Sequence, residues 1–133
     1  MTPKINKELI ATHVLDIGNV YFYNNFVVTE INEGITLTFE KSAGLMLLAK
    51  KYYGNKVPFA YISNRVHSYS FQPTAHYQST KLFPNLIGFA VVSYGSISNE
   101  IASLEQAFVN VPKNIFTNLE DAIEWVNQLI IQD

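Results

Sequence analysis

The stretch VPFAYIS, residues 57–63, decides the fold of this chain. It is a short apolar run without alternation between apolar and polar positions, a pattern typical of a strand buried on both faces. A second run of the same kind, LIGFAVVSY, occupies residues 86–94. Doubly buried strands that alternate with helices indicate parallel neighbours in a sheet covered by those helices.

The first part of the chain, before this stretch, is predicted to form strands. The runs HVLDI, NVYFYNN and FVVTEI are rich in Val, Ile, Phe and Tyr. The turn formers Gly18-Asn19 and Asn24-Asn25 separate them, so antiparallel hairpins are expected.

A helix is predicted between these strands and residue 57. Thr38 is suited to be its N-cap, Glu40 to lie in its first turn, and Gly54 to end it. Its expected apolar face is Phe39, Ala43, Met46 and Leu47, widened by Leu45, Leu48 and Tyr52.

Three more elements follow residue 64 besides the strand at 86–94. We predict a short helix from Pro73 to about Phe83, a helix capped by Ser98, and a short strand in NIFT. Thr117 and Glu120 form a capping box for the last helix. Its expected stripe is Leu119, Ala122, Ile123, Val126 and Ile130. The whole is a single α/β domain over residues 1–133, with a mixed, partly parallel β-sheet and covering helices.

Composition narrows the classes of protein. The chain has 133 residues, 48% of them hydrophobic, and no cysteine, which excludes disulfides and thiolate chemistry. The N-terminus lacks the apolar region of a secretory signal, and no apolar run approaches the ~18 residues of a membrane helix. These features predict a soluble cytoplasmic protein without a transmembrane segment.

Charge is segregated along the chain. Between Lys41 and Asn99 there is no acid, and six cations occur there, whereas all eleven carboxylates lie in residues 8–40 and 100–133. Such asymmetry can steer anions or acidic partners to one side of a protein. The alternative is that folding interleaves the segments so that the charges pair.

The arrangement resembles the STAS/SEC14-related domains, specifically the small SpoIIAA-like proteins of bacteria. The similarity covers nearly the whole chain and rests on the hairpin start, EGITLT, PFAYISNR, IGFAVVS and FTNLEDAIEWV. In the sporulation antagonists of this fold, an Asp-Ser-Ser/Thr-Gly motif after the corresponding strand carries a serine whose phosphorylation switches binding of a kinase partner. Here Ser63-Asn64-Arg65 lacks the acid and the glycine.

The candidate site is the loop after residue 63, because ligands of such sheets bind beyond the carboxyl ends of the strands. Arg65, the only arginine, offers donors for a carboxylate or phosphate, and His67 could donate too. The predicted partner- or anion-binding residues are Ser63, Asn64, Arg65, His67, Ser68, Tyr69 and Ser70. In the structural alternative, Arg65 binds a carbonyl or a surface acid while Tyr69 and Phe71 pack the loop down.

Enzyme and nucleic-acid signatures are missing. His13, His67 and His76 fit no metal-ligand spacing, and the chain has neither a G-x-S-x-G elbow nor a glycine-rich phosphate loop. We predict no catalytic residues, no metal and no cofactor. IGFAVVSY resembles an RNA-binding RNP1 strand, but Phe89 is expected in the core, and no nucleic acid partner is predicted.

The predicted function is therefore that of a non-catalytic STAS-like module, with a regulatory role. It would bind a partner protein or a small anionic ligand through the loop after Ser63. The alternative, which the SEC14-like resemblance implies, is a carrier of a lipid or other apolar small molecule. Self-association as a homodimer would accompany the first function, since surplus aromatics such as Tyr21 and Tyr23 could cover a dimer face.

Overall fold

The computed structural model describes residues 9–72, 75, 78, 80–95, 106 and 111–132. Its strands are β1 Leu9–Leu15, β2 Gly18–Tyr23, β3 Phe26–Ile31, β4 Thr36–Leu37, β5 Phe59–Asn64, β6 Ser70–Phe71, β7 Leu86–Val92 and β8 Lys113–Phe116. Its helices are α1 Ala43–Tyr53 and α2 Leu119–Gln132. The helices predicted to begin at Pro73 and Ser98 lie largely outside the described residues.

Six strands form one mixed sheet in the order β1-β2-β3-β5-β7-β8. The pairs β1–β2 and β2–β3 are antiparallel, and β3, β5, β7 and β8 run parallel. The predicted α/β class with a partly parallel sheet is confirmed. The parallel strands end together at Ile31, Asn64, Val92 and Phe116, and we call this side the carboxyl edge and the opposite side the amino edge.

The sheet is buried on both faces along its central strands, as VPFAYIS predicted. On one face, Ala60 and Ile62 of β5 pack with Ala122, Ile123 and Val126 of α2. On the other face, α1 covers a cluster that includes Val20, Phe22, Val27, Ile31, Leu45, Ala49, Tyr53 and Phe59. Phe89 is 2% exposed and stacks on Tyr61, which confirms it as a core residue.

Helix α1 begins later than predicted, at Ala43 and not after Thr38. Thr38 is not the N-cap: its hydroxyl oxygen accepts a hydrogen bond from the Lys41 amide at 3.1 Å, in a turn that precedes the helix. The buried face is also different, because Leu45, Ala49 and Tyr53 are buried while Leu47 is 73% exposed. Four consecutive apolar residues at 45–48 leave the orientation of a helix open, so packing against the sheet decides it. Gly54 ends α1 as predicted, at φ +58°.

Helix α2 has its predicted stripe but a different cap. The Asn118 side chain, not that of Thr117, accepts the Asp121 amide at 2.9 Å and donates to the Asp121 carboxylate at 3.0 Å. These two reciprocal hydrogen bonds take the place of the capping box predicted for Thr117 and Glu120, and the N-cap lies one residue later in the chain. Asparagine is preferred over threonine at the N-cap, which agrees with a start at residue 118.

Candidate functional site

The loop after β5 lies at the carboxyl edge, as the sequence predicted, and it is fastened to the segment after β3. The Gly34 amide donates to the Ser68 carbonyl at 2.9 Å, and the Ser70 amide donates to the Ile35 carbonyl at 2.8 Å. The short strands β4 and β6 pair in parallel, so Leu37 lies beside Phe71. The loop therefore has a defined conformation, and other chain covers part of it.

Arg65 is buried in this loop, with 8% of its surface exposed. Its Nε donates to the Ser63 hydroxyl at 3.3 Å, and its guanidinium carbon lies 4.6 Å from the Tyr69 ring centroid and 5.8 Å from that of Phe71. Such contacts combine a hydrogen bond with cation–π packing. Arg65 is therefore buried in the loop, and its contacts with Tyr69 and Phe71 agree with the alternative in which these rings pack the loop down.

The remaining candidate residues divide by exposure. Ser63 and Asn64 are buried, and Tyr69 is half-buried with its hydroxyl 3.0 Å from that of Ser63. His67, Ser68 and Ser70 are exposed. The buried members hold the loop in place, and the exposed members are those that another molecule can reach.

Tyr61, on β5, makes a further polar contact within the protein. Its hydroxyl lies 2.7 Å from the Thr29 hydroxyl on the neighbouring strand. Burial raises the pKa of Tyr61 and nearby Tyr69 adds to this, while the Thr29 hydrogen bond and the charge of Arg65 act in the opposite direction. Tyr61 therefore resists ionisation in the folded chain.

We expect the free energy of unfolding to fall as the pH rises above about 10, the ordinary tyrosine pKa. Above that pH the unfolded chain loses the Tyr61 proton while the folded chain keeps it, so unfolding gains up to about 1.4 kcal/mol per pH unit from this group. Urea denaturation across alkaline pH measures the slope, and Tyr61→Phe should make it shallower. An unchanged slope would show that other groups cause the alkaline loss.

A second hydrogen-bonded group lies on the α2 face of the same edge. The Asn64 side chain donates to the Glu30 carboxylate at 3.1 Å, the Tyr94 hydroxyl donates to the Asn64 oxygen at 2.7 Å, and the Tyr21 hydroxyl donates to Glu30 at 3.2 Å. The pKa of Tyr21 and that of Tyr94 are raised by burial and, next, by the negative charge of Glu30.

Two exposed apolar side chains flank this group. Tyr94 is 55% exposed and Val66 is 46% exposed. The Arg65 amide donates to the Val92 carbonyl at 3.0 Å, so Val66 and Tyr94 leave neighbouring strands at the same edge. We call Glu30, Val66 and Tyr94 the rim patch, with Asn64 buried beneath it. Sequence reasoning missed Glu30 and Tyr94; an acid within the apolar run FVVTEI and a tyrosine directly after β7 are the signals that mark them.

The charges of the described residues separate between the two edges of the sheet. Six of the seven described carboxylates lie at the carboxyl edge: Asp16, Glu30, Glu33, Glu40, Glu120 and Asp121. Five of the seven described Lys and Arg side chains lie at the amino edge: Lys50, Lys51, Lys56, Lys81 and Lys113. Part of this distribution complements the dipoles of α1 and α2, whose N-termini lie at the carboxyl edge. The cationic middle of the sequence therefore does not make the candidate loop a positive surface.

A cavity of about 80 Å³ lies between α1 and the sheet. Its lining is mainly apolar and includes Met46, Phe59, Phe83 and Phe89, with Ser42 among the polar members. Its volume is roughly half that of an engineered cavity that binds benzene. It is also well below the ~300 Å³ at which small-molecule sites usually begin.

The two histidines that the structure describes, His13 and His67, do not come together as a metal site. His13 lies on β1 with Nε2 2.9 Å from the Tyr52 hydroxyl, His67 is in the loop at the carboxyl edge, and His76 is outside the described residues. In the described part of the chain, no three His, Asp or Glu side chains are grouped to hold a metal ion. Among the same residues, no helix has the length and apolar character required to cross a membrane.

Comparison with known proteins supports the fold and leaves the activity open. No model of a protein family matches the chain, and no curated protein matches it. A crystal structure of an uncharacterized protein from Shewanella loihica PV-4, described as a DUF3478 family member with a SpoIIAA-like fold, matches 90% of this chain and 92% of its own, with a TM-score of 0.52 and 14% sequence identity. The strand order, the two covering helices and this likeness together identify the fold of this chain as SpoIIAA-like.

Proposed function

We propose that this protein is a non-catalytic module that binds a partner protein at the carboxyl edge, through the rim patch and the exposed residues His67 and Ser68. The observation that carries the proposal is the exposure of Val66 and Tyr94 at the carboxyl edge, two residues beyond the ends of the paired strands β5 and β7. Aromatic side chains on fixed backbone are effective anchors in protein interfaces because little conformational entropy is lost on binding.

A protein partner fits this surface better than a small anion does. Arg65, which the sequence predicts to bind an anion, is stacked on Tyr69 and hydrogen bonded to Ser63. Among the described residues, the donors to the half-buried Glu30 carboxylate are neutral groups, the Tyr21 hydroxyl and the Asn64 amide. A partner with a lysine or arginine opposite Glu30 would supply the complementary charge.

The test compares two charge substitutions of exposed apolar residues. Val66→Asp changes the rim patch, and Ile131→Asp changes a side chain that is 72% exposed near the end of α2, at the amino edge. Both should fold, because surface substitutions usually change stability by about 0.5 kcal/mol or less. A partner captured by the unmodified chain and identified by mass spectrometry should bind Val66→Asp at least ~10-fold more weakly, which is about 1.4 kcal/mol.

Binding of the same partner to Ile131→Asp should be unchanged. Glu30→Gln should weaken binding less than Val66→Asp does and should reduce its dependence on salt, because screening acts on the charge pair. Equal binding by the unmodified chain and by Val66→Asp would remove the rim patch from the interface.

A carrier function has less support. The apolar lining of the cavity under α1 would suit an apolar molecule, but about 80 Å³ does not accommodate a lipid chain. A carrier would therefore require α1 to move away from the sheet, and the stacking of Tyr53 on Phe59 opposes such a movement.

A further inference from the structure

The outer strand β1 is an edge of the six-stranded sheet, and no strand among the residues that the structure describes pairs with its outer side. Its seven residues, LIATHVL, include no charged residue and no proline. Exposed edges pair readily with other strands, and proteins usually block them with charges, proline or short length. The opposite edge is blocked in this way, since β8 has four residues and begins with Lys113.

One face of β1 packs against other residues of the protein, and the other face is exposed. On the α1 side, the His13 ring packs edge-on against Phe22 and bonds to Tyr52. On the opposite side, Val14 is 81% exposed, Ile10 is 46% exposed, and Thr12 between them is also exposed. A strand that carries this much exposed apolar surface, beside edge backbone with which no described strand pairs, has the features of an interface.

We propose that β1 pairs with β1 of a second copy of this chain, antiparallel and about a two-fold axis at Thr12. Residues 10 and 14 are equally far from residue 12, so the backbone of residue 10, at the register shift of β1, lies opposite Val14 of the other copy. The two threonines meet at the axis, and Thr–Thr is a favourable cross-strand pair. The two sheets become one continuous sheet across the dimer.

A second copy suits this edge for two reasons. The outward N–H and C=O groups of β1 require another extended strand, and a copy of β1 supplies one that is equally long and uncharged. Such a pairing buries no charge, and the exposed apolar residues cover one another on both sides of the axis. A register shift against β2 is confined to Leu9–Ala11, and Ala11–Leu15 pair with β2 regularly.

The dimer leaves the rim patch accessible, since β5 and β7 lie several strands away from β1. Self-pairing is thus independent of the proposed partner binding, and either can fail alone.

Analytical ultracentrifugation over a range of concentrations tests the pairing. The unmodified chain of 15.1 kDa should sediment with twice that mass as its concentration rises. Thr12→Lys should sediment as a monomer at concentrations where the unmodified chain is a dimer, because two ammonium groups would face each other at the axis. Thr12→Glu should behave in the same way, and an equimolar mixture of the two variants should recover the dimer. Ile131→Lys, an exposed control, should remain dimeric.

Recovery in the mixture requires residue 12 of one copy to face residue 12 of the other, so a general loss of folding cannot produce it. A monomeric unmodified chain at every concentration would overturn the proposal. Dimers of Thr12→Lys alone, or a mixture that stays monomeric, would also overturn it.

Discussion

Gly18→Ala is expected to leave most of the protein unfolded or insoluble. Gly18 begins β2 and pairs with Ile31 of β3 at a φ of +147°. A Cβ at this position would overlap the carbonyl oxygen of Glu30 and would lie 2.9 Å from the Cα of Ile31. Both are backbone atoms of a central hairpin, so β2 and β3 would have to separate. Strain and overpacking together should reduce the free energy of unfolding by at least ~3 kcal/mol, a large part of the total for a typical domain.

Gly34→Ala is the matched control for this substitution. Gly34 also has a positive φ, +80°, but no atom lies within 4 Å of the position of its Cβ. Only backbone strain should act there, at about 1 kcal/mol. Urea denaturation of the two variants measures both losses in the free energy of unfolding, and their difference is the contribution of the steric overlap at residue 18. Equal losses for Gly18→Ala and Gly34→Ala would mean that β2 does not approach Glu30 as closely as the structure describes.

The central strands β5 and β7 were predictable because their signals are local, whereas β1 lies at Leu9–Leu15 and not at 13–17, and β4 and β6 were not predicted. The unalternating runs at 57–63 and 86–94 specify strands buried on both faces, and β5 and β7 occupy these positions. The two helices that the structure describes were predictable in position, but not in their first residues. The predicted N-caps were Thr38 and Thr117, but the helices begin after Ser42 and Asn118, because the start depends on which turn the sheet can accommodate.

The character of the candidate site was not predictable, because it depends on contacts between distant segments. The position of the loop follows from the end of β5, yet the burial of Arg65 depends on Tyr69, Phe71 and the pairing of β6 with β4. The segment that pairs with the loop is about thirty residues earlier in the chain. No local pattern distinguishes an arginine that faces solvent from one that stacks between rings.

The acid-free segment between Lys41 and Asn99 is a correct observation, but it does not predict which surface of the folded protein is cationic. Helix α1 begins at the carboxyl edge and returns to the amino edge, where Tyr53 bonds to backbone carbonyls near the start of β3. Lys50 and Lys51 near its end are therefore carried away from the loop that contains Arg65. Residues that are neighbours in the acid-free segment lie at opposite edges of the sheet. The acids of the terminal segments, Glu30 and Asp121 among them, lie near the loop instead.

Arg65→Ala is expected to reduce the free energy of unfolding by about 2–4 kcal/mol, although arginine is usually a surface residue. The substitution removes the stacking on Tyr69 and Phe71 and leaves the buried Ser63 hydroxyl without the Nε donor. It also leaves a void beneath the β4–β6 pair, which cannot collapse without breaking the backbone hydrogen bonds at Ser70 and Gln72.

Arg65→Lys should be nearly as destabilising as Arg65→Ala, because an ammonium group lacks the planar surface that packs on Tyr69. His67→Ala, an exposed change two residues further along, should cost about 0.5 kcal/mol or less. Urea denaturation of these three variants distinguishes packing from binding as the role of the only arginine. If Arg65→Ala were as stable as His67→Ala, the guanidinium would not be part of the loop's packing, and anion binding by this side chain would again become the better explanation.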